Sequence, residues 1–317
     1  MSNFGTVFVT LIPIFLLIAL GYGAGRRGFF DRTTERGLNT FVISFALPAS
    51  FFVGVVTNSR QTLLSDVPTL LVLVLATVGF FLAVLAILRY ALHLGLAEAS
   101  IIALCSAMPT FAFMGIPVLG NLYGSAQVAA PLAMEAIIVN AILVPIALIF
   151  VHAGMSESAG KEEKAAAGFL SQVASAFKQP IAWAPLLATI LVLVGVSPPA
   201  FINDTLRLLG EATSGVALLL VGVLMSFERL KFSRAALGIT FLKGIAQPAV
   251  AMLLALLIGL QSPLYTETVL IVAFSSSPVA VLLASRYRTR ETDTASALVA
   301  TAVLSIVTLP LLMLITT

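Results

Sequence analysis

"CSAMPTFAFMGIPVLG", Cys105 to Gly120, sits in the middle of a long apolar segment and carries Pro109, Pro117, Gly115 and Gly120. Proline removes a backbone donor and clashes with the preceding turn. In hydrocarbon no water replaces the lost bond, so a broken backbone is tolerated only where protein or a polar cavity surrounds it. The question is whether the surrounding chain supplies such a setting.

The composition says that it does. Of 317 residues, 60% are hydrophobic and 10% charged. Soluble domains carry roughly 25% charged residues, so the usual polar coat is missing. The pattern is that of an all-α integral membrane protein. Charges, Gly/Pro turns and polar caps divide it into ten spans, at 5–25, 36–57, 67–90, 98–122, 126–152, 180–196, 200–226, 233–260, 266–286 and 293–315. They run from 17 to 28 residues, enough to cross a bilayer, which takes about 20. The first apolar run has no basic residues before it and Arg26-Arg27 after it. A cleaved signal has the opposite order, so a retained first span is expected. The one cysteine, Cys105, reads as a packing residue.

Fourteen of the seventeen Lys and Arg residues fall in the odd-numbered loops. Arg26, Arg27, Arg32 and Arg36 cluster in the first; Arg286, Arg288 and Arg290 form the ninth. Basic loops stay cytoplasmic. Odd loops inside place both termini outside and the fifth loop in the cytoplasm. The +3 net charge is therefore a matter of topology, and no nucleic-acid partner is expected.

The long fifth loop divides the chain into a first half at 1–153, a linker at 154–179 with a candidate surface helix, and a second half at 180–317. Five spans per half give the halves opposite orientation. "SAMPTFAF" in span 4 aligns with "SSSPVAVL" in span 9, setting Pro109 opposite Pro278. "NAILVPIAL" in span 5 aligns with "SIVTLPLLM" in span 10, setting Asn140 opposite Ser305 and Pro145 opposite Pro310. An inverted 5+5 repeat whose spans 4 and 9 break and cross is the expected fold. Broken helices in matching positions of two halves mark a transporter binding site, and their N-terminal ends suit an anion.

Two ionisable residues lie deep in spans: Lys243 in "TFLKGIAQP" and Glu135 in "PLAMEAIIVN". A charge near the bilayer centre costs roughly 3 kcal/mol on insertion scales, so both should face the bundle interior. Lys243 is placed to supply fixed positive charge beneath the crossover, where a cation-coupled carrier would hold its ion, with Glu135 as a candidate counter-ion. Gln247 and Pro248 follow one turn later and should keep that helix irregular. In span 2, the Ser44 hydroxyl is spaced to satisfy the carbonyl freed by Pro48, and Ser50 is a candidate to face substrate. His93 and His152 fall at span ends; no metal site and no cofactor is expected. Without H-E-x-x-H or G-x-S-x-G, an intramembrane enzyme is disfavoured.

Several stretches carry a family resemblance: "LIALGYGAGRRGFF" (17–30), "FALPASFF" (45–52), "FMGIPVLGNLYG" (113–124), "FLKGIAQP" (241–248) and "SSSPVAVLLASRY" (275–287). In this order they resemble the auxin efflux carrier family, which includes bacterial permeases assigned to malonate and malate and the plant PIN-formed auxin carriers. The resemblance implies a ten-helix inverted repeat like that of bile-acid sodium symporters and sodium/proton antiporters. Spans 1, 2, 6 and 7 would then scaffold and form a homodimer in the lipid, while spans 3–5 and 8–10 move in an elevator-type cycle. It maps the substrate site to Pro109, Thr110 and Phe111 in one half and Ser276, Ser277, Pro278 and Val279 in the other, with Asn140 facing it. The family's Asn-Thr-Gly run is absent here, where Thr110-Phe111-Ala112-Phe113 stands instead. The expected function is secondary or facilitated transport of a small organic anion, a carboxylate such as malonate, malate or an auxin-like acid. A channel is the alternative.

Overall fold

The computed structural model describes residues 2–57, 67–111, 119, 123, 125–158, 180–227, 231 and 233–316. The described residues are helical throughout, with no strand beyond one isolated bridge. In chain order the helices are α1 (Ser2–Arg26), α2 (Arg32–Val56), α3 (Val67–Ala91), α4 (Leu96–Ala107), α5 (125–158), α6 (Pro180–Val194), α7 (Ala200–Phe227), α8 (Arg234–Ile258), α9 (Leu264–Ala273), α10 (Pro278–Arg286) and α11 (Glu291–Thr316). Among the described residues, six stretches are long and apolar enough to cross a membrane: α2, α3, Met134–Glu157 of α5, α7, α8 and α11. Leu16, Leu20, Phe45, Ile87, Leu257 and Leu314 point outward, fully in keeping with a lipid-facing surface.

Proline shapes these helices in a repeated way. A π-helical turn over Val42–Ala46 in α2 precedes Leu47-Pro48; one over Ile138–Leu143 in α5 precedes Val144-Pro145; one over Leu242–Ala246 in α8 precedes Gln247-Pro248. The wider turn shifts the hydrogen-bond register where proline has no N–H to give. At Pro48 the backbone shift is made by the π turn Val42–Ala46, whose register carries the Leu47 N–H to the Val42 carbonyl. The irregularity expected around Gln247-Pro248 is present.

The helices pack in two groups. One is α1, α2, α6 and α7; the other is α3, α4, α5 and α8–α11. In the first group α1 and α7 approach at backbone distance. A Cβ at Gly21 would overlap the Leu219 carbonyl, one at Gly25 the Ser226 hydroxyl, and one at Gly222 the Ile18 carbonyl. Gly21 and Gly25 are four apart, as are Gly222 and Ser226, the small-residue spacing that lets membrane helices pack closely. The two groups meet where α5 packs on α6, α10 on α7, and α11 on α1. Phe52, Val55, Ile137, Ala141, Ala184, Ala188 and Val192 form a small core of their own at the α2–α5–α6 part of this seam.

Where the residues are described, span boundaries from the sequence agree with helix ends to within a few residues, with one difference; the end of the fourth span, at 122, lies outside the described residues. Helix α5 runs on to Ser158, past Gly154. Gly154 itself packs so closely on Ala97 that a Cβ would overlap its backbone nitrogen, and Arg89 pairs with Glu157 at 3.1 Å. Glu267, in the first turn of α9, is fully buried. The candidate surface helix in 159–179 and most of "FMGIPVLGNLYG" lie outside the described residues.

Candidate functional site

The breaks in the fourth and ninth segments meet inside the second helix group. Helix α4 stops at Ala107, and Met108 turns extended (φ −82°, ψ 111°). Helix α9 stops at Ala273, Phe274 turns extended (φ −56°, ψ 151°), and α10 begins at Pro278. The two extended pieces run antiparallel, centred on Pro109 and Ser276. The Thr110 N–H donates to the Ser275 carbonyl at 2.9 Å and the Ser277 N–H to the Met108 carbonyl at 3.1 Å. Proline at the centre is suited to this, since it has no N–H to leave unpaired.

Side chains finish the junction. The Thr110 hydroxyl lies 2.8 Å from the Ser275 carbonyl and 2.5 Å from that of Ser276. The Ser276 hydroxyl donates to the Cys105 carbonyl at 2.8 Å, and its N–H donates to the Thr301 hydroxyl of α11 at 3.1 Å. Ser277 caps α10, its hydroxyl accepting from the Val279 N–H at 3.3 Å. Thr110, Ser276, Ser277 and Val279 are each buried to within 3% of full exclusion; Pro278 and Phe111 are buried beside them. The structure thus brings together all seven crossover residues read from the sequence. The aligned prolines, however, take different parts: Pro109 lies within the extended break, whereas Pro278 opens a helix, where its missing N–H costs nothing.

Beside the crossover, α8 closes the C-terminal ends of the two helices that run into it. Lys243 donates to the Val272 carbonyl in the last turn of α9 at 3.0 Å and to Gln247 Oε1 at 2.6 Å. The Gln247 amide donates to the carbonyl of Ala107, the last residue of α4, at 2.7 Å and to that of Ala76 in α3 at 3.0 Å. Both side chains are fully buried. Terminal helix carbonyls carry partial negative charge, and a lysine ammonium with an amide answers it. Lys243 therefore serves the C-terminal side of the crossover, opposite the end that suits an anion.

Glu135 and Lys243 form no ion pair. One oxygen of the fully buried Glu135 accepts from the Thr77 hydroxyl at 3.0 Å, and the other, Oε2, has no donor. Thr77 follows Ala76 in the π turn Leu75–Gly79 of α3. The two residues are thus joined through that turn by way of Gln247. Asn140 is buried on the π turn of α5, with Oδ1 lacking a donor; that turn packs on α6 and on the π turn of α3. Ser50 stands apart from the crossover's hydrogen bonds: its backbone abuts Gly210 of α7. Sequence reading missed Thr77 and Thr301. Neither could be found without knowing which helices are neighbours. Among the described residues no group of side chains has the makings of a metal site.

Comparison with known proteins agrees with this architecture. The chain is 36% identical over 304 residues to the "Uncharacterized transporter YfdV" of Escherichia coli K12, covering 95% of each, and equally to its Shigella flexneri counterpart. It is 25% identical over 300 residues to the "Putative malonate transporter" of Rhizobium meliloti, covering 94% of this chain and 92% of that one. The family described as "Membrane transport protein" matches residues 6–313. An all-helical chain with several membrane-length helices, matched to that family over nearly its whole length, is a member of the membrane transport protein, or auxin efflux carrier, family.

Proposed function

We propose that the protein is a secondary carrier for a small organic anion, a carboxylate such as malonate, malate or an auxin-like acid, and not an enzyme. The observation that carries this reading is the division of labour at the crossover. Lys243 and Gln247 close the C-terminal ends of α4 and α9, while the N-terminus of α10 faces the junction with its positive end. An anion at Thr110, Phe111 and Ser276–Val279 would meet that end, and Asn140 is the candidate amide to orient it. The likeness to the R. meliloti protein named as a malonate transporter supports a carboxylate.

In this reading Lys243 stands where a coupling cation would sit, so sodium is not required, and Glu135 is the group that takes up and releases a proton. The two helix groups act as scaffold and moving part of an elevator-type cycle. The halves 1–153 and 180–317 form an inverted repeat of ten spans joined by 154–179. The scaffold helices make a homodimer within the lipid. The distribution of Lys and Arg supports an inner-membrane orientation with both termini outside.

Counterflow in proteoliposomes tests this. Labelled malonate, malate or indole-3-acetate is offered outside against the unlabelled acid inside, in sodium and in choline buffers. Transient accumulation, equal in both buffers and reduced in Thr110→Val, is the expected result. Flux without counterflow would indicate a channel, and no accumulation of any acid would remove the carboxylate reading.

A further inference from the structure

Four arginines converge on a cavity that the crossover does not use. It lies between the first turns of α2 and the end of α10, with a volume of about 380 Å³. Arg32 and Arg36 reach it from α2, Arg286 from the last turn of α10, and Arg288 from the turn beyond. Arg288 has φ +51°, a left-handed conformation uncommon outside glycine. Only two carboxylates, Glu35 and Glu291, share the lining. Arg32 is engaged with the face of Phe227 at 4.6 Å. Arg36, Arg286 and Arg288 form no ion pair with a described residue. Nearby Arg290 differs, being held by Glu98 at 3.2 Å and Asp293 at 3.1 Å.

The same cavity is lined by two buried acceptors that lack a donor. Glu35 is 2% exposed and Asn39 6% exposed, one turn apart on α2. Glu35 Oε1 and Asn39 Oδ1 each have no hydrogen-bond partner. Buried polar atoms are nearly always satisfied, and exceptions ask for a ligand or water. Guanidinium groups with no described ion pair, beside single acceptor oxygens with no donor, make a two-sided site. One side fits the planar, paired oxygens of a carboxylate. The other fits an O–H or N–H.

We propose that this cavity is a loading site for a small carboxylate that carries its own hydrogen-bond donor, a hydroxyl or an ammonium. Arg36, Arg286 and Arg288 hold the carboxylate, and Glu35 and Asn39 take the donor. The cavity's size suits a small metabolite. Its place is functional as well. It adjoins α2 from one helix group and α10 and α11 from the other, and nine-residue α10 leads from it to Ser277 at the crossover, about 12 Å away at 1.5 Å per residue. Clustered positive charge raises the local concentration of an anion at the mouth of such a path. The loading role rests on the carrier reading above; the binding does not.

The test is equilibrium binding of labelled L-malate to the purified full chain in detergent, with malonate, L-aspartate, inorganic phosphate and phosphatidylglycerol as competitors. Malate and aspartate are expected to compete at clearly lower concentration than malonate, which has the charge without the donor. Arg286→Gln and Arg288→Gln, both at exposed positions, should each weaken malate about tenfold, as for one charge-assisted bond. Arg27→Gln, outside the cavity, should change nothing. Asn39→Leu should reduce the preference for malate over malonate. In proteoliposomes the arginine variants should raise KM from one side of the membrane only, with the maximal rate kept. Arginine-dependent malate binding without transport of any carboxylate would uphold the site and defeat the carrier reading. Malate binding that is absent, or indifferent to both arginine variants, overturns the proposal. So does stronger competition by phosphate or phosphatidylglycerol, which would make the cavity a phosphate or headgroup site.

Discussion

Lys243 and Gln247, one turn apart on α8, bond to each other and between them close the C-terminal ends of α9 and α4. A single helical turn thus holds the backs of both broken segments. Lys243 lies within the π turn Leu242–Ala246 and Gln247 follows it directly, so the irregular backbone that accommodates Pro248 also sets the spacing of the pair.

Removing the ammonium leaves Gln247 Oε1 and the Val272 carbonyl buried without a donor. Each such loss costs about 1–3 kcal/mol. Lys243→Met should therefore lower the thermal midpoint by several degrees and abolish counterflow. Lys243→Ala, which leaves room, should become sodium-responsive: sodium in place of choline should raise its midpoint while leaving wild type unchanged. Thermal unfolding in detergent measures both. A Lys243→Met protein as stable and active as wild type would show that the cap does not matter.

Much of this was legible in the sequence, for identifiable reasons. Proline within an apolar run is a local signal, so the breaks at Pro109 and Pro278 could be located from their own neighbours. A buried charge is costly enough that Lys243 and Glu135 stood out alone. What was not legible is which partner each would find. Lys243 and Glu135 attract each other on paper, yet Gln247 and Thr77 take them, because the packing of α3 between α5 and α8 decides which polar atoms are within reach. The cavity at Arg286 and Arg288 was hidden for a related reason. Those arginines served the topology argument, and nothing local shows that α2 lies against the end of α10.

Gly21 and Gly23 offer a controlled comparison within "GYGAG". A Cβ at Gly21 would overlap the Leu219 carbonyl of α7, while at Gly23 nothing lies within 4 Å. Gly21→Ala should lower stability by about 1–3 kcal/mol, the usual cost of overpacking. Gly23→Ala should be neutral or slightly stabilising, since alanine favours helix over glycine by about 1 kcal/mol. Thermal midpoints of the two variants, measured side by side, check the α1–α7 contact. Equal midpoints would mean that the close approach is not there.

Asp31 gives a pH-dependent contribution at the start of α2. The Thr34 hydroxyl and the Thr34 N–H, the latter 2.7 Å from Oδ1, hold its carboxyl below the usual aspartate value. A depressed folded value means stability that is present above the unfolded value, about 3.9, and is lost as pH falls through the folded one. The midpoint difference between wild type and Asp31→Ala should be constant from about pH 7 to pH 5 and shrink below about pH 4. A difference that persists at the lowest pH would argue against an ionised cap.

Glu135 separates proton coupling from structural support. Its Oε1 is held by Thr77, and its Oε2 has no donor, so one oxygen is anchored while the other remains open to a proton. Glu135→Gln keeps the shape and an acceptor for Thr77 but cannot exchange a proton. Exchange of one acid molecule for another moves no net proton, so counterflow should survive this change. Uptake driven by an imposed pH gradient should fall to the level seen without the gradient. Thr77→Val serves as the structural control: it removes the anchoring bond and leaves the carboxyl, so gradient-driven uptake should be weakened but not lost. Full gradient-driven accumulation by Glu135→Gln would remove Glu135 from the coupling step. Loss of counterflow in the same variant, with the thermal midpoint unchanged, would instead place the carboxylate in substrate handling.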